Sequence, residues 1–140
     1  MIYIASDHAG YELKNHLKRY LDKIDLEYED LGTNSKKSVD YPDYAKKVAL
    51  KIRHTNNKGV LICGTGTGMV IAANRFKGIR AALIYDEYSA RKARQDNDSN
   101  IACLRGRNFN IRKAKHILSI WLKTNFAKKR RYKRRIKKLG

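Results

Sequence analysis

A buried strand that runs directly into a glycine loop constrains this fold more than any other feature of the chain. Residues 60–63 are an apolar run that ends at Cys63, and residues 64–68 read Gly-Thr-Gly-Thr-Gly. Residues 69–74 then read as the start of a helix. Free backbone N–H groups point into such a loop, which can therefore hold an anion. The thiol of Cys63 would lie beside that anion as a nucleophile or base.

The familiar glycine-loop signatures do not fit this segment. A dinucleotide-binding fingerprint requires a third glycine where this chain has Met69, and it usually follows the first strand rather than a strand in mid-chain. A P-loop requires Gly-Lys-Ser/Thr, and the loop contains no lysine. A tight strand-to-helix turn with a buried structural cysteine remains the alternative, because free cysteine is often just a small buried apolar residue.

Strand-like and helix-like patterns alternate along the rest of the chain. Strands are predicted at residues 2–5, 28–31, 60–63, 81–85 and 101–104. Helices are predicted at 11–24, after Pro42 through Ile52, at 87–95, from Ile111 to Leu122, and in the last residues, where Tyr132, Ile136 and Leu139 have helical spacing. This alternation predicts an α/β fold with a five-stranded parallel sheet covered on both faces. Ligands then bind at the carboxyl ends of the strands, near the point where the strand order reverses.

Polar residues follow several of the predicted strands. Asp7 and His8 come directly after the first strand, where they would either meet a phosphate or cap the next helix. Asp40 and Tyr41 would line the same rim or form the turn that starts a helix, with Asp40 or Asp43 as its cap and Pro42 in its first turn. The following arginines could clamp a phosphate through paired hydrogen bonds or could simply be solvated surface: Arg105, Arg107, Arg131, Arg134 and Arg135.

Composition bounds the class of protein. A chain of 140 residues with 42% hydrophobic residues predicts one domain, residues 1–140, with a real core. Two cysteines do not make a disulfide framework. No membrane span or signal peptide is evident, so a cytoplasmic location is expected.

The net charge of +19 is extreme, and nine lysines and arginines without any acid lie in residues 128–140. Such a charge attracts polyanions. A nucleic-acid-binding protein is therefore an alternative function. It is disfavoured because the charge is not interleaved with stacking aromatics, and the attraction is interpreted as incidental.

Several short motifs, taken together and in order, go beyond what composition can show. These are Ser6-Asp7-His8-Ala9-Gly10, Asp40-Tyr41-Pro42, the Cys63-Gly-Thr-Gly-Thr-Gly loop, Ala72-Ala73-Asn74, Gly78-Ile79-Arg80-Ala81-Ala82, Tyr88-Ser89-Ala90, Asn97-Asp98-Ser99-Asn100 and the tail from Arg131 to Ile136. The chain closely resembles the sugar-phosphate isomerase family that contains ribose-5-phosphate isomerase B and the galactose-6-phosphate isomerase subunits. The resemblance covers essentially the whole chain.

That resemblance implies a Rossmann-like three-layer sandwich without a nucleotide, built as a homodimer or a dimer of dimers. The resemblance to ribose-5-phosphate isomerase B also implies the interconversion of ribose 5-phosphate and ribulose 5-phosphate, a reaction of the pentose phosphate pathway, without metal or cofactor. Each active site takes residues from two subunits, and residues 128–140 are expected to dock on the neighbouring subunit.

The resemblance also implies roles for individual residues. Cys63 matches the base that moves a proton between C1 and C2 through an enediolate, and Thr65 with the amides of Gly64, Gly66 and Gly68 matches the anion-stabilising loop. Asp7 and Tyr41 match residues near the sugar hydroxyls and ring oxygen. Asn97 matches a residue that faces the enediolate from across the interface. The family's phosphate clamp is matched by His8, Arg107, Arg131 and Arg135, of which the three arginines would come from the neighbouring subunit.

Two positions depart from the family pattern. Asp96 occupies the place of a histidine that opens the furanose ring, and Tyr132 the place of a histidine in the tail. Asp96 is therefore the candidate ring-opening residue, and its identity leaves open a hexose 6-phosphate as the substrate, as for a galactose-6-phosphate isomerase subunit. A non-catalytic partner subunit is a further alternative, against which the presence of Cys63 argues.

Overall fold

The computed structural model describes all 140 residues and contains five strands and six helices. The strands are β1 (Ile2–Ser6), β2 (Tyr28–Asp30), β3 (Lys58–Cys63), β4 (Ala81–Leu83) and β5 (Ile101–Arg105). The helices are α1 (Tyr11–Lys23), α2 (Tyr41–Ile52), α3 (Thr67–Ala73), α4 (Glu87–Gln95), α5 (Ile111–Lys123) and α6 (Arg130–Lys137). None of these helices has the length and apolar character that a membrane crossing needs.

The five strands form one parallel sheet in the order β2-β1-β3-β5-β4. This confirms the predicted fold class. The strand order reverses between β1 and β3, because the chain moves outward to β2 and then returns to the other side of β1. In sheets of this type the crevice beside that reversal, at the carboxyl ends of the strands, is where ligands bind.

Two hydrophobic clusters cover the two faces of the sheet. Strand residues alternate between them: Val60 and Ile62 belong to the cluster under α1, α4 and α5, and Leu61 and Cys63 to the cluster under α2 and α3. This alternation is the two-residue period of a strand, and burial on both faces explains why the strands read as continuous apolar runs. The three-layer α/β/α arrangement follows.

A buried lysine ties α1 to the loop after β2. Lys14 is fully buried, and its Nζ donates to Asp30 Oδ1 at 2.7 Å and to the carbonyl of Thr33. Burial lowers the pKa of Lys14 although Asp30 opposes that effect. Burial alone would raise the pKa of Asp30, but hydrogen bonds from Lys14, Lys18 and the Gly32 amide lower it overall. The segment that leads to α2 is therefore anchored by charge-assisted hydrogen bonds.

The last helix packs along its own chain. Tyr132 is buried, and Ile136 and Leu139 line a cleft together with Phe76 and Ile79. The predicted helix is confirmed for Tyr132 and Ile136, which lie in α6, whereas Leu139 lies beyond the end of that helix. Docking of the tail on a neighbouring subunit stays a prediction, because the contacts described here lie within one chain.

Candidate active site

The carboxyl ends of β1, β3 and β5 bring the first group of candidate residues together. Ser6 pairs with Ile62 and Cys63 pairs with Arg105, so the three strands end at one level. Asp7 follows β1 and is 8% exposed; its Oδ1 accepts hydrogen bonds from the amides of Ala9 at 2.9 Å and Gly10 at 3.1 Å. Asp7 thus fixes the turn that leads into α1, and the α1 N-cap residue itself, Gly10, makes no side-chain cap.

His8 lines a cleft of about 530 Å³ beside this turn, together with Lys36, Arg107, Asn108 and other residues. The amide of Val39 donates to His8 Nδ1 at 3.2 Å. Because Nδ1 accepts that bond, the neutral ring carries its proton on Nε2, which can then donate to an anion. The backbone partner was not predictable from the sequence, since Val39 lies in an irregular loop.

Cys63 lies at the head of the glycine loop and is 5% exposed. Its carbonyl and that of Gly64 accept hydrogen bonds from the amides of Gly106 at 2.9 Å and Arg107 at 3.2 Å. The amides of Gly64, Thr65 and Gly66 donate to no protein acceptor. Three successive unpaired amides beside a thiol form a site that can stabilise a developing negative charge.

Two glycines of the loop are required by its close packing. Gly66 has φ +83°, and a methyl group on it would lie 2.6 Å from Leu83 Cδ1. A methyl group on Gly68 would lie 2.5 Å from the Tyr41 ring, so Tyr41 packs directly on the loop. Tyr41 is the first residue of α2, and Asp40 occupies the N-cap position there without a side-chain hydrogen bond. The prediction that Asp40 forms the cap is thus correct in position only, and Tyr41 belongs to the rim of the site.

The position of Arg107 bears on which subunit's site it serves. Its Cδ lies 3.9 Å from where a Cβ would stand on Gly64, and its amide bonds to the Gly64 carbonyl of the same chain. Arg107 and His8 line one cleft. This position favours a role for Arg107 in the Cys63 cleft of its own chain over the expected role in a neighbouring subunit's site, and the choice between the two stays a prediction. The reason for this position is the sheet order, which places β5 next to β3 and brings the loop after β5 onto the Cys63 loop.

Asp96 and Asn97 lie near the amino-terminal ends of the strands, on the side of the sheet opposite Cys63. They follow α4 and precede β5, whose first residue, Ile101, pairs with Gly59 at the beginning of β3. The stretch from Gly59 to Cys63 spans about 13 Å of strand. The side chain of Asn97 is exposed. These two residues do not approach the Cys63 of their own chain.

The side chain of Asp96 has an unusual environment for an acid at a helix end. Its Oδ1 is shielded from solvent and has no hydrogen-bond partner, and Lys92 Nζ stands 4.0 Å away. An unpaired buried acceptor costs free energy and calls for an explanation. A proton donor supplied by a bound molecule or by a second subunit would satisfy it.

The tail shares that second edge. Leu139 and Asn97 line one cleft together with Arg80 and Asn74. Arg131 and Arg135 are exposed on α6, and Arg131 stacks on Tyr132 with its Cζ 4.7 Å from the ring centre. The candidate residues thus fall into two groups: one around Cys63 and one around Asn97 and the tail.

Sequence reasoning missed the residues that hold the second group. Arg80, Arg94 and Asp98 form a network of hydrogen bonds beneath Asn97. Arg80 and Asp98 belong to the motifs Gly78-Ile79-Arg80 and Asn97-Asp98-Ser99-Asn100, but the sequence pattern predicts no role for either residue, and Arg94 lies outside both motifs. A single sequence does not show that two segments so far apart along the chain meet.

Comparison with known proteins agrees with this architecture. The chain matches the ribose/galactose isomerase family model over residues 2–139. Ribose-5-P isomerase B of Listeria innocua is 42% identical over 127 residues, which cover 90% of this chain and 86% of that protein.

Two solved structures are similar over nearly the full length. The ribose 5-phosphate isomerase of Thermotoga maritima has a TM-score of 0.94 and 51% identity, covering 99% of this chain and 95% of that chain. The ribose-5-phosphate isomerase B of Mycoplasma genitalium, solved with bound ribulose-5-phosphate, has a TM-score of 0.94 and 40% identity, covering 99% and 92%.

The loop geometry predicts different costs for two alanine substitutions. Gly66→Ala must place a methyl group against Leu83 at a positive φ, so we expect the free energy of unfolding to fall by ~1 kcal/mol or more. Gly64→Ala meets only ordinary contacts at 3.8 and 3.9 Å, and we expect a change within about 0.5 kcal/mol. Denaturant unfolding of both variants measures the difference; equal losses would show that the loop conformation is not constrained as described.

Proposed function

Because the chain belongs to the ribose/galactose isomerase family, we propose that it interconverts ribose 5-phosphate and ribulose 5-phosphate with Cys63 as the proton-transfer base. The observation that carries this proposal is the buried thiol beside three unpaired loop amides, with His8 and Arg107 lining the adjoining cleft. A base, an oxyanion site and phosphate-binding groups are what this reaction requires.

Each group has a distinct part in the reaction. The Cys63 thiolate takes the proton from C2 of the open aldose, and the C1 oxygen gains negative charge as the enediolate forms. The amides of Gly64, Gly66 and Gly68, with Thr65, stabilise that charge. The same thiol returns the proton to C1, while the C2 hydroxyl proton ends on the C1 oxygen, so one molecule of aldose gives one of ketose. Asp7 and Tyr41 contact the sugar hydroxyls and ring oxygen.

The phosphate orients the sugar from a distance. His8 Nε2 and the guanidinium of Arg107 contribute from the same chain as Cys63, and Arg131 and Arg135 complete the clamp from a second subunit. Binding energy from such a remote group lowers the barrier at the reacting carbons. A bidentate contact between arginine and phosphate also fixes the direction in which the sugar enters.

The separation of the two groups supports a shared site in a homodimer or a dimer of dimers. Asp96 and Asn97 lie at the ends of the strands opposite Cys63, about a strand length away, and the tail that carries Arg131 and Arg135 shares a cleft with Asn97 through Leu139. In a symmetric dimer the same surface of each subunit meets the other subunit, so each Cys63 can receive the second group from its partner. Exposed apolar side chains on α3 and α4, such as Ile71 at 54% and Tyr88 at 68%, are available for such an interface.

The first prediction from this mechanism concerns the two cysteines. Cys63→Ala should lower kcat by ~10²–10⁴-fold, the usual cost of losing a positioned base, while leaving the fold and the binding of inorganic phosphate intact. Cys103→Ala is the matched control, because Cys103 is fully buried and burial raises its thiol pKa, so it stays protonated. It should lower stability without changing kcat.

Steady-state assays with ribose 5-phosphate and thermal unfolding separate the two effects. A Cys63→Ala enzyme within a few-fold of wild type would refute the role of the thiol. Parallel assays with allose 6-phosphate and galactose 6-phosphate decide between the pentose and a hexose 6-phosphate as substrate.

Hybrid dimers test the shared site. Arg131→Ala/Arg135→Ala subunits and Cys63→Ala subunits should each be nearly inactive alone. After subunit exchange, about a quarter of all sites should be intact, since half of the dimers are hybrids and each hybrid has one complete site. Absence of rescue, once exchange is verified by mass spectrometry of tagged subunits, would count against a site built from two chains.

Asp96 is predicted to open the furanose ring less well than a histidine would. An ionised carboxylate can accept the anomeric proton but cannot donate one to the ring oxygen. Asp96→His should therefore speed the turnover of ribose 5-phosphate and add a pH dependence near ~6.5. Asp96→Asn should slow the furanose but not the open-chain ribulose 5-phosphate in the reverse direction. An Asp96→Asn enzyme with full activity on ribose 5-phosphate would remove Asp96 from ring opening.

A further inference from the structure

Asp98 stands at the centre of a hydrogen-bond network that holds the turn after α4. Its Oδ2 accepts from Arg80 Nη2 at 3.3 Å, and its Oδ1 accepts from Arg94 Nη1 at 2.9 Å. Arg80 Nε also donates to the carbonyls of Asn97 at 3.2 Å and Asp98 at 3.0 Å. The peptide unit between Asn97 and Asp98 is therefore fixed by the same guanidinium that pairs with the Asp98 carboxylate.

This network keeps Asp98 in a sparsely populated conformation. Its φ is +47°, and a left-handed residue other than glycine is retained only where the surroundings over-determine it. Such a conformation turns the chain sharply after α4 and leaves the Asn97 side chain exposed.

The network extends to the beginning of the basic tail. Arg94 is 7% exposed; its Nε donates to the Thr124 carbonyl at 3.2 Å and its Nη1 to the Ser99 carbonyl at 2.6 Å. The Ala127 amide donates to the Gln95 carbonyl at 3.0 Å. The turn that carries Asp96 and Asn97 and the segment that leads to α6 are thereby joined into one unit.

We infer that Asp98 is a positioning residue: through Arg80 and Arg94 it holds Asn97 and the tail arginines in the relative arrangement that a neighbouring subunit's Cys63 site requires. This inference rests on the proposed function and its shared site. Nothing in the chain's own Cys63 cleft touches this network, because the turn lies at the opposite edge of the sheet. The candidate functional groups on that side are Asp96, Asn97 and the tail arginines. The buried guanidinium of Arg94 and the strained backbone of Asp98 hold the segments that carry them.

The substitution that isolates this role is Asp98→Asn. Asparagine tolerates a positive φ, so the backbone conformation remains accessible while both charge-assisted hydrogen bonds lose their carboxylate. Misplacement of a reacting group by ~1 Å can cost up to ~10²-fold. We therefore expect kcat to fall by at least about tenfold, because Asn97 faces the enediolate, and KM to rise as well, because the tail arginines that the same network holds contact the phosphate.

Trp121→Phe is the matched structural control. Trp121 is fully buried against the same network, and its Nε1 donates to Ser99 Oγ at 2.8 Å. The variant loses that bond and lowers stability locally but leaves both arginine contacts to Asp98 in place. It should keep kcat within about two-fold of wild type when assayed well below its melting temperature. An equal loss of kcat in the two variants, at matched stability, would reduce Asp98 to a structural role and overturn the inference.

Subunit exchange gives the readout that a structural role would not produce. Mixed with Cys63→Ala subunits, Asp98→Asn subunits should regain activity, because in each hybrid the intact Cys63 faces the intact turn of its partner. A residue that acted on its own Cys63 would show no rescue, and that result would overturn the inference.

The proposed function fails separately from the inference. A wild-type protein inactive on ribose 5-phosphate refutes the proposed substrate, and the same variants are then assayed on the hexose 6-phosphate that the wild type turns over. Hydrogen exchange needs no substrate: the amides of residues 96–98 and 124–127 should exchange together and faster in Asp98→Asn, whereas Trp121→Phe, which loses its hydrogen bond to Ser99, should speed exchange at Ser99 without coupling those two segments. Exchange at wild-type rates in Asp98→Asn would also overturn the inference.

Discussion

The parallel pairing of β3 with β1 and β5 is the constraint from which the rest of the site follows. It brings the Asp7 turn, the Cys63 loop and the loop of Gly106 and Arg107 to one edge. The approach is close: a methyl group on Gly106 would lie 2.8 Å from the Ala9 carbonyl, and one on Gly10 would lie 2.6 Å from the Ile62 carbonyl. Because the loops touch through backbone atoms, small displacements of either strand would move the thiol, the imidazole and the guanidinium relative to one another.

The same pairing underlies the proposal that the site is shared between two chains. In a parallel sheet the carboxyl ends of all strands lie on one side, and the connecting helices end on the opposite side. Residues that follow strands and residues that follow helices are therefore separated by about the length of a strand. Cys63, Asp7 and His8 belong to the first kind. Asp96 and Asn97 belong to the second, and the tail lies on the same side, where Leu139 and Asn97 line one cleft. In the proposed site, a second copy of the chain would bring the two kinds together.

The fold could be predicted from the sequence to a large extent, because its strands are apolar on both faces and are separated by amphipathic helices. Boundaries differed by a few residues; β4 ends at Leu83 rather than at residue 85. The site around Cys63 was predictable because its residues directly follow strands. The position of Arg107 was not, because it depends on the order of β3 and β5 in the sheet, which no short-range pattern encodes.

Buried charge was the other feature that pattern alone could not predict. Lys14 lies on a helix with many polar residues and reads as solvent-facing, yet it is fully buried on Asp30. Its burial requires a carboxylate from another element, which the helix pattern does not contain. The same holds for Arg94 and Asp98. They are only four residues apart, but their further hydrogen bonds are made with Arg80 and with the Thr124 carbonyl, which a local pattern does not predict.

Acidic residues are scarce in this chain of net charge +19, so the contacts that each buried or half-buried carboxylate makes matter for stability. Excess like charge destabilises a compact state through self-repulsion, so each carboxylate that is committed to a fixed partner counts. Asp7 holds the amides before α1, Asp30 holds Lys14 and Lys18, and Asp98 holds Arg80 and Arg94. No salt bridge neutralises Arg107, Arg131 or Arg135. The arginines proposed to bind phosphate are thus left without a competing internal anion, so that a bound phosphate would supply their counter-charge.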